Sequence, residues 1–148
     1  MSEHKITLVW KLETAEFTYP KYNRDHLWKF DGGAEVRASA APAYVGNPAN
    51  VDPEEAFVAS LSSCHMLTFL AVACKKRFVV ESYTDEAVGH LEKNAAGKLA
   101  MTRVELRPKI IFAGTAIPGP EELHEMHEFA HRECFIANSV NTVVTVGA

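Results

Sequence analysis

The chain has 148 residues, of which 47% are hydrophobic and 23% charged, proportions that are ordinary for a soluble globular protein. This length predicts a single domain over residues 1–148. A net charge of -4 without a basic block argues against nucleic-acid binding through clustered lysine and arginine. The first ten residues alternate polar and apolar types without the apolar stretch of a signal peptide, so the sequence predicts a cytoplasmic protein.

The first third of the chain predicts an antiparallel meander of three strands. Residues 6–12 alternate with period two, as a half-buried strand does, and Pro20 with the polar residues after it ends the pattern. Residues 27–30 form a second predicted strand. The turn signal at 31–33 then leads into a third strand at 34–41.

A helix is predicted from Pro53 to about Arg77, because Asp52 can cap it and Glu55 completes a capping box. Part of this helix, roughly residues 56–74, is weakly polar, but its polar side chains make it a poor membrane span.

Further along, the pattern predicts strands at 79–91 and 98–112 joined by a hairpin loop at 94–97, a helix at 121–134 and a strand at 140–146. The order βββ-α-ββ-α-β predicts an α+β fold with long helices packed on an antiparallel sheet.

Two cysteines on apolar helical segments, Cys64 and Cys134, raise the question of thiol chemistry. A cytosolic chain gains little from structural disulfides, since the reducing pool keeps them open. If Cys64 ionises it can attack an electrophile, and Cys134 can close a disulfide behind it. The alternative is that both are small hydrophobic residues of the core. Cys74, the third cysteine, is interpreted as a core or surface thiol.

Cys64 is predicted on an apolar helix face with Phe57, Leu61, Leu67, Thr68 and Ala71. Burial alone raises the pKa of a thiol, so a nucleophilic Cys64 needs a nearby cation or a helix N-terminus. One source is a helix that restarts at Cys64 after the three serines before it. Glu54 lies about 15 Å away along an unbroken helix. The two share a site only if the helix breaks or an arginine such as Arg24 bridges them. Taken alone, Glu54 is a helix-dipole partner and Arg24 a solvated loop residue.

The second helix offers a different interpretation. His127, His131 and Cys134 follow one another at i, i+4 and i+7, with His124 one turn earlier, and these are zinc ligands by type. Ligands spread along one straight helix cannot surround a tetrahedral metal, although His65 or Cys64 could complete a smaller set. A metal site is therefore the weaker alternative, and no cofactor is predicted.

Two segments together resemble the OsmC/Ohr family of thiol-dependent hydroperoxide reductases. The first runs from Pro53-Glu54 to Ser63-Cys64, and the second is His131-Arg132-Glu133-Cys134 with the residues to Val140. The resemblance covers essentially the whole chain, including the β-rich first third. His65 after Cys64 and Phe135-Ile136 after Cys134 differ from the organic-peroxide branch, so the OsmC-like branch is the closer likeness.

The resemblance implies an OsmC-like fold, an intertwined homodimer with two long central helices between antiparallel sheets. It also implies that Cys64 is the peroxidatic thiol and that Cys134 resolves its sulfenic acid as a disulfide. Glu54 would orient Arg24, which would stabilise the thiolate and position the peroxide. The implied partners are a hydroperoxide and a thiol reductant, of dihydrolipoyl or small-thiol type. The rival hypothesis is a non-catalytic protein of the same fold that binds a small hydrophobic ligand or a metal at the dimer interface.

Overall fold

The structure, a computed structural model, describes residues 1–147 and consists of two compact units. The first unit is Met1–Ala56, and the second begins at Phe57. The longest helix starts at the end of the first unit and continues into the second.

The first unit contains the predicted meander, which is confirmed. Strand β1 (Ile6–Val9) pairs antiparallel with β2 (His26–Phe30), and β2 pairs antiparallel with β3 (Glu35–Ala38). The third strand ends three residues earlier than predicted. The reason is that the next N–H, that of Ser39, donates to the carbonyl of Val51 (2.9 Å) rather than to the meander.

A short 3-10 turn at Pro42–Tyr44 follows β3 and leads into a crowded position at Gly46. The N–H of Gly46 donates to the carbonyl of Ala41 at 3.2 Å. A Cβ at Gly46 would lie 1.5 Å from the carbonyl oxygen of Ala40, so the backbone fits here only without a side chain.

Helix α1 (Pro53–Lys75) begins with the predicted capping box, which is confirmed. The N–H of Glu55 donates to Asp52 Oδ1 at 2.8 Å, and the N–H of Asp52 donates to Glu55 Oε1 at 3.1 Å. These two bonds satisfy backbone donors that would otherwise be free at the start of the helix.

Helix α1 ends in a Schellman motif with arginine at the left-handed position. Arg77 has φ 66°, its N–H donates to Cys74 O at 3.0 Å, and the N–H of Phe78 donates to Ala73 O at 2.9 Å. The predicted end at residue 77 is thus two residues late, because the chain has already left the helical conformation at Arg77.

The buried stripe of α1 differs from the predicted one. The buried residues are Leu61, His65, Phe69 and Ala73, spaced by four, whereas Leu67 is 61% exposed. An i, i+4 row forms one ridge of a helix, and this ridge is the one that packs into the core.

By length and composition alone α1 could also cross a membrane, with a mean hydropathy of 1.7 over an 18-residue window of which 28% is buried. A core helix of a soluble protein passes the same test.

The second unit contains α2 (Pro120–Glu133) and five strands: β4 (Val79–Asp85), β5 (Val88–Lys93), β6 (Leu99–Leu106), β7 (Pro108–Ala113) and β8 (Val143–Val146). Each of the two strands predicted at 79–91 and 98–112 is therefore two strands. Both breaks occur beside Asp85, whose Oδ1 accepts the N–H of Arg107 at 2.6 Å and whose Oδ2 accepts the hydroxyl of Ser62 at 2.5 Å. The predicted hairpin exists between β5 and β6.

The sheets of the second unit are mixed. Strands β4 and β7 form an antiparallel pair, and the other sheet has the order β5-β6-β8. The prediction of purely antiparallel pairing is wrong for β8, which runs parallel to β6. A parallel pair needs a crossover connection, and here the crossover contains α2. With 23 residues in α1 and 14 in α2, only one of the two helices is long.

Two clusters form the core of this unit. In the first, Phe69 and Ala73 of α1 pack on Met126 and Ala130 of α2. In the second, Leu61 packs with Val104 and Leu106 of β6. Partly buried residues of β8 and of the segment around the short 3-10 helix at Ala137–Ser139 pack against this cluster. Both clusters contain residues of α1. This packing fixes the position of α1, and with it the remaining side chains of α1, relative to α2 and to the residues that follow α2.

Candidate active site

The structure brings Cys64 and Cys134 together. Cys64 lies in the middle of α1 and is half-buried, while Cys134 is the residue that follows α2 and is 1% exposed. Burial raises the pKa of Cys134, and the neighbouring Cys64 side chain raises it further. Both cysteines are free thiols, as is the exposed Cys74.

Two backbone N–H groups counteract this rise at Cys134. The N–H of Ala137 donates to Cys134 Sγ at 3.4 Å, and this bond together with one from Ile136 lowers the pKa of the thiol. These groups are available because the chain turns into a short 3-10 helix at Ala137–Ser139 directly after α2. The sulfur of Cys134 therefore lies in a dry site that also contains donors for a negative charge.

The predicted restart of the helix at Cys64 is wrong, since α1 is continuous from Pro53 to Lys75. Ser60 does not cap a new helix, because its hydroxyl donates to Phe57 O at 2.7 Å within the same helix. Helix α1 consequently supplies no N-terminus at Cys64. An unbroken helix also keeps Glu54 about 15 Å from Cys64 along the axis.

Arg24 lies in the first unit and is held by aromatic residues. Its guanidinium donates to the carbonyls of Tyr19 and Tyr22, both at 2.5 Å, and its Cζ lies 3.5 Å from the centroid of the Tyr22 ring. A cavity of about 400 Å³ in the same unit is lined by Arg24 with Trp10, Phe17 and other residues. Stacking and two charge-assisted hydrogen bonds fix the orientation of this cation.

Glu54 is half-buried at the start of α1, and its Oε2 is buried without a hydrogen-bond partner among residues 1–147. The ion pair between Glu54 and Arg24 that the resemblance implies is not formed among these residues, because the Arg24 guanidinium is bonded to backbone carbonyls instead. A buried carboxylate oxygen without a donor is costly, so Glu54 is left with an unused acceptor.

Two histidines that the sequence joined only as alternative metal ligands, His65 and His127, form a hydrogen-bonded pair. His65 Nε2 and His127 Nδ1 lie 3.0 Å apart, with His65 1% exposed and the two rings nearly parallel. Burial lowers the pKa of both rings to about 4, aided at His65 by His127 and then His131, and at His127 by His124. No local pattern predicts this pair, because the sequence placed Cys64 and not His65 on the core-facing side of α1.

The stripe of histidines on α2 does not form a metal site in this structure. Among residues 1–147, no three side chains of His, Cys, Asp or Glu are grouped so that they could hold a metal ion. His127 instead bonds to His65, and His124 pairs with Glu128 at 3.1 Å.

The fold and the site together describe an α+β protein with two neighbouring free thiols. One thiol lies within the long helix α1 and the other directly follows the shorter helix α2. The chain belongs to the OsmC-like protein family, whose model matches residues 46–147. No curated protein matches it. It is similar over 99% of both chains to the structure of an OsmC-like protein of unknown function from Vibrio cholerae, with 54% identity and a TM-score of 0.96.

Two organic hydroperoxide resistance proteins share the fold at low identity. One, from Elizabethkingia anophelis, is 22% identical, with 99% of this chain and 93% of that chain covered and a TM-score of 0.71. The other, OhrB of Bacillus subtilis, is 17% identical, with 98% and 96% covered and a TM-score of 0.66. The predicted family and its mixed α+β fold are thus confirmed.

Proposed function

We propose that the protein is a thiol-dependent peroxidase that reduces organic hydroperoxides in oxidative-stress defence. The observation that carries this proposal is the pairing of Cys64 with Cys134, two free thiols in one site. Membership of a family with hydroperoxide resistance proteins supports it. Peroxide reduction by thiols needs one accessible sulfur to attack and a second to resolve, and the half-buried Cys64 and buried Cys134 fit these roles in that order.

In the first step, the Cys64 thiolate attacks one oxygen of the peroxide. A sulfur–oxygen bond forms, the oxygen–oxygen bond breaks, and the alkoxide leaves as an alcohol after taking a proton. Cys64 becomes a sulfenic acid, oxidised by two electrons, and the peroxide is reduced by the same two.

In the second step, Cys134 loses its proton and attacks the sulfenic sulfur. A disulfide forms and hydroxide leaves as water with the proton. The charge of Cys64 contributes to the raised pKa of Cys134, and conversion to an uncharged sulfenic acid removes that contribution. Oxidation of Cys64 therefore lowers the pKa of Cys134, while burial, the largest cause of its elevation, remains. A dithiol or small-thiol reductant then returns two electrons to the disulfide.

The test is peroxide consumption by the reduced protein, with cumene hydroperoxide as substrate and Cys74→Ser as the matched control. We expect Cys64→Ser to abolish turnover and Cys74→Ser to retain it, because Cys74 is exposed and away from the pair. One equivalent of peroxide should remove two thiols per chain and leave Cys74 free. Turnover by Cys64→Ser, or a Cys64–Cys74 disulfide in peptide maps, contradicts the proposal.

Cys134→Ser separates the two roles. We expect its Cys64 to form a sulfenic acid that persists and over-oxidises under excess peroxide, since no thiol remains beside it. Under the rival hypothesis of a ligand-binding protein without catalysis, the wild-type protein consumes no peroxide in this assay.

The roles of Arg24 and Glu54 in this proposal come from the resemblance. Arg24 would hold the thiolate of Cys64 and the peroxide, and Glu54, whose Oε2 lacks a donor, would orient Arg24. Alkylation of Cys64 measured across pH tests this: Arg24→Ala should shift the profile to higher pH, by about 1–3 units if the cation is close. An unchanged profile would mean that another group holds the thiolate.

We also propose a homodimer in the cytoplasm. The apolar window of α1 is only 28% buried within one chain and Leu67 is 61% exposed, and a second copy would cover such a helix. Three free cysteines fit a reducing compartment. Light scattering should give twice the chain mass of 16.3 kDa, and a monomer at micromolar concentration would refute the assembly.

A further inference from the structure

A cavity of about 430 Å³ lies between α2 and the strands β7 and β8 of the second unit. We call it the imidazole cavity, because His124, His127 and His131 of α2 form one wall. Ile110 of β7 and Val144 of β8 are among the apolar residues of the opposite wall. Its volume and its combination of an apolar surface with a few polar groups are those of small-molecule sites. Neither Cys64 nor Cys134 lines it, so it is separate from the thiols.

His127 is the imidazole whose hydrogen bonding is fixed by a buried neighbour. Its Nδ1 is bonded to Nε2 of His65, which is 1% exposed, so Nε2 of His127 is the nitrogen left for a ligand. A single proton lies between the two rings. If it is on His65, Nε2 of His127 carries a proton and donates; if it is on His127, Nε2 accepts. A ligand group that both donates and accepts satisfies either arrangement, and a hydroxyl is such a group.

A second imidazole of the cavity wall is that of His131. Its Nδ1 is buried without a hydrogen-bond partner among residues 1–147, so a ligand in the cavity would contact the rest of the ring and not this nitrogen. His127 therefore remains the hydrogen-bonding group of the wall.

The charges of the wall disfavour an anionic ligand. Burial lowers the pKa of His127 to about 4, and His124 adds to this effect. The pKa of His65, which is hydrogen-bonded to His127, is also lowered to about 4. Both rings are therefore uncharged at neutral pH. The carboxylate of Glu128 also lines the cavity, 3.1 Å from His124, and it repels negative charge.

From this geometry we propose that the imidazole cavity binds an uncharged apolar molecule carrying one hydroxyl group, with His127 as its hydrogen-bond partner. The class comprises phenols and medium-chain alcohols, which share an apolar body and one hydroxyl. This binding does not depend on the peroxidase activity proposed above, since the thiols lie outside the cavity.

The experiment uses 1-naphthol as the probe, titrated into the full-length reduced protein at pH 7.5 and followed by calorimetry. Naphthalene, which lacks the hydroxyl, and 1-naphthoate, which is charged, are the ligand controls. We expect saturable binding of one 1-naphthol per chain, with each control bound at least about tenfold more weakly, as the loss of a hydrogen bond in a dry site commonly costs. Absence of saturable 1-naphthol binding, or equal affinity for naphthalene, overturns the proposal.

Two tryptophan variants on the same strand locate the site. Thr145 lines the cavity, whereas Val143, two residues earlier on β8, is exposed and does not line it. Thr145→Trp should abolish binding of 1-naphthol and Val143→Trp should leave it unchanged. Equal effects of the two variants would place the probe elsewhere and refute the assignment.

The hydrogen bond itself is read from histidine ring nitrogens by NMR of the wild-type protein, which needs no variant to fold. Addition of 1-naphthol should shift the Nε2 resonance of His127, with a smaller shift at His65 through their shared proton. His4, an exposed residue of the first unit, serves as the internal control and should not move. Binding without a shift at His127 contradicts the assigned partner.

Discussion

The end of α1 allows one substitution to be predicted in detail. Arg77 has φ 66° at the position of the Schellman motif where glycine is the usual residue. A side chain in the left-handed conformation costs about 1–2 kcal/mol, because its Cβ crowds the following carbonyl. Arg77→Gly removes this crowding and keeps both hydrogen bonds, so this effect alone would stabilise the fold by about 1–2 kcal/mol.

Two smaller effects oppose that gain. The cation of Arg77 lies near the negative end of α1, where its removal costs about 0.3–1 kcal/mol. Glycine also has more freedom in the unfolded chain, which costs about 0.5–1 kcal/mol. The net change of Arg77→Gly should therefore be small, between about -1 and +1 kcal/mol in the free energy of unfolding.

Arg77→Ala is the matched control. Alanine loses the same cation but retains Cβ, so the variant keeps the backbone crowding and should be destabilised by about 0.3–1 kcal/mol. Arg77→Gly should exceed Arg77→Ala by about 1 kcal/mol. The assay is urea unfolding at one fixed protein concentration. A glycine variant that is less stable than the alanine variant would show that strain at the left-handed position is smaller than the entropy cost of glycine.

Two further predictions concern buried groups. In the folded protein, the pKa of His65 and of His127 is lowered to about 4. Between pH 6.5 and 4 these two residues therefore bind protons in the unfolded chain but not in the folded one. Stability therefore rises with pH over this window. We expect each ring to contribute a loss of about 2 kcal/mol on going from pH 7 to 4.5, and the double variant with phenylalanine at both positions should show a shallower profile. Equal slopes in urea unfolding would show that the pair does not contribute. Gly46→Ala should prevent stable folding of the first unit, because its Cβ would overlap the carbonyl of Ala40 at 1.5 Å, and an unchanged circular dichroism melting curve would contradict the crowding.

Local signals in the sequence were enough to predict most secondary structure. The capping box at Asp52 and Glu55 and the alternation of the first strands act between near neighbours, and the structure contains both. The break in the predicted strand 98–112 depends on Asp85, which accepts the Arg107 N–H from more than twenty residues away. Such a contact has no local pattern.

The candidate site was predictable only in part for the same reason. The pairing of Cys64 with Cys134 followed from the resemblance, because no spacing rule relates two helices 70 positions apart in the sequence. The parallel pairing of β8 with β6 and the bond between His65 and His127 are also non-local. The apolar face of α1 was predicted wrongly, since a helix this apolar offers several stripes and only the packing partner selects one.

The order in which the chain is synthesised bears on the chemistry of Cys64. At about 5–20 residues per second, Cys134 leaves the ribosome roughly 4–14 seconds after Cys64. Cys134 reaches its position only when the residues after α2 have packed beside Leu61 and β8 has joined β6, which requires nearly the entire chain. Under the proposed mechanism, Cys64 would have no resolving partner during this interval. Oxidant stress on a newborn molecule would then over-oxidise Cys64 irreversibly, which the completed fold would prevent.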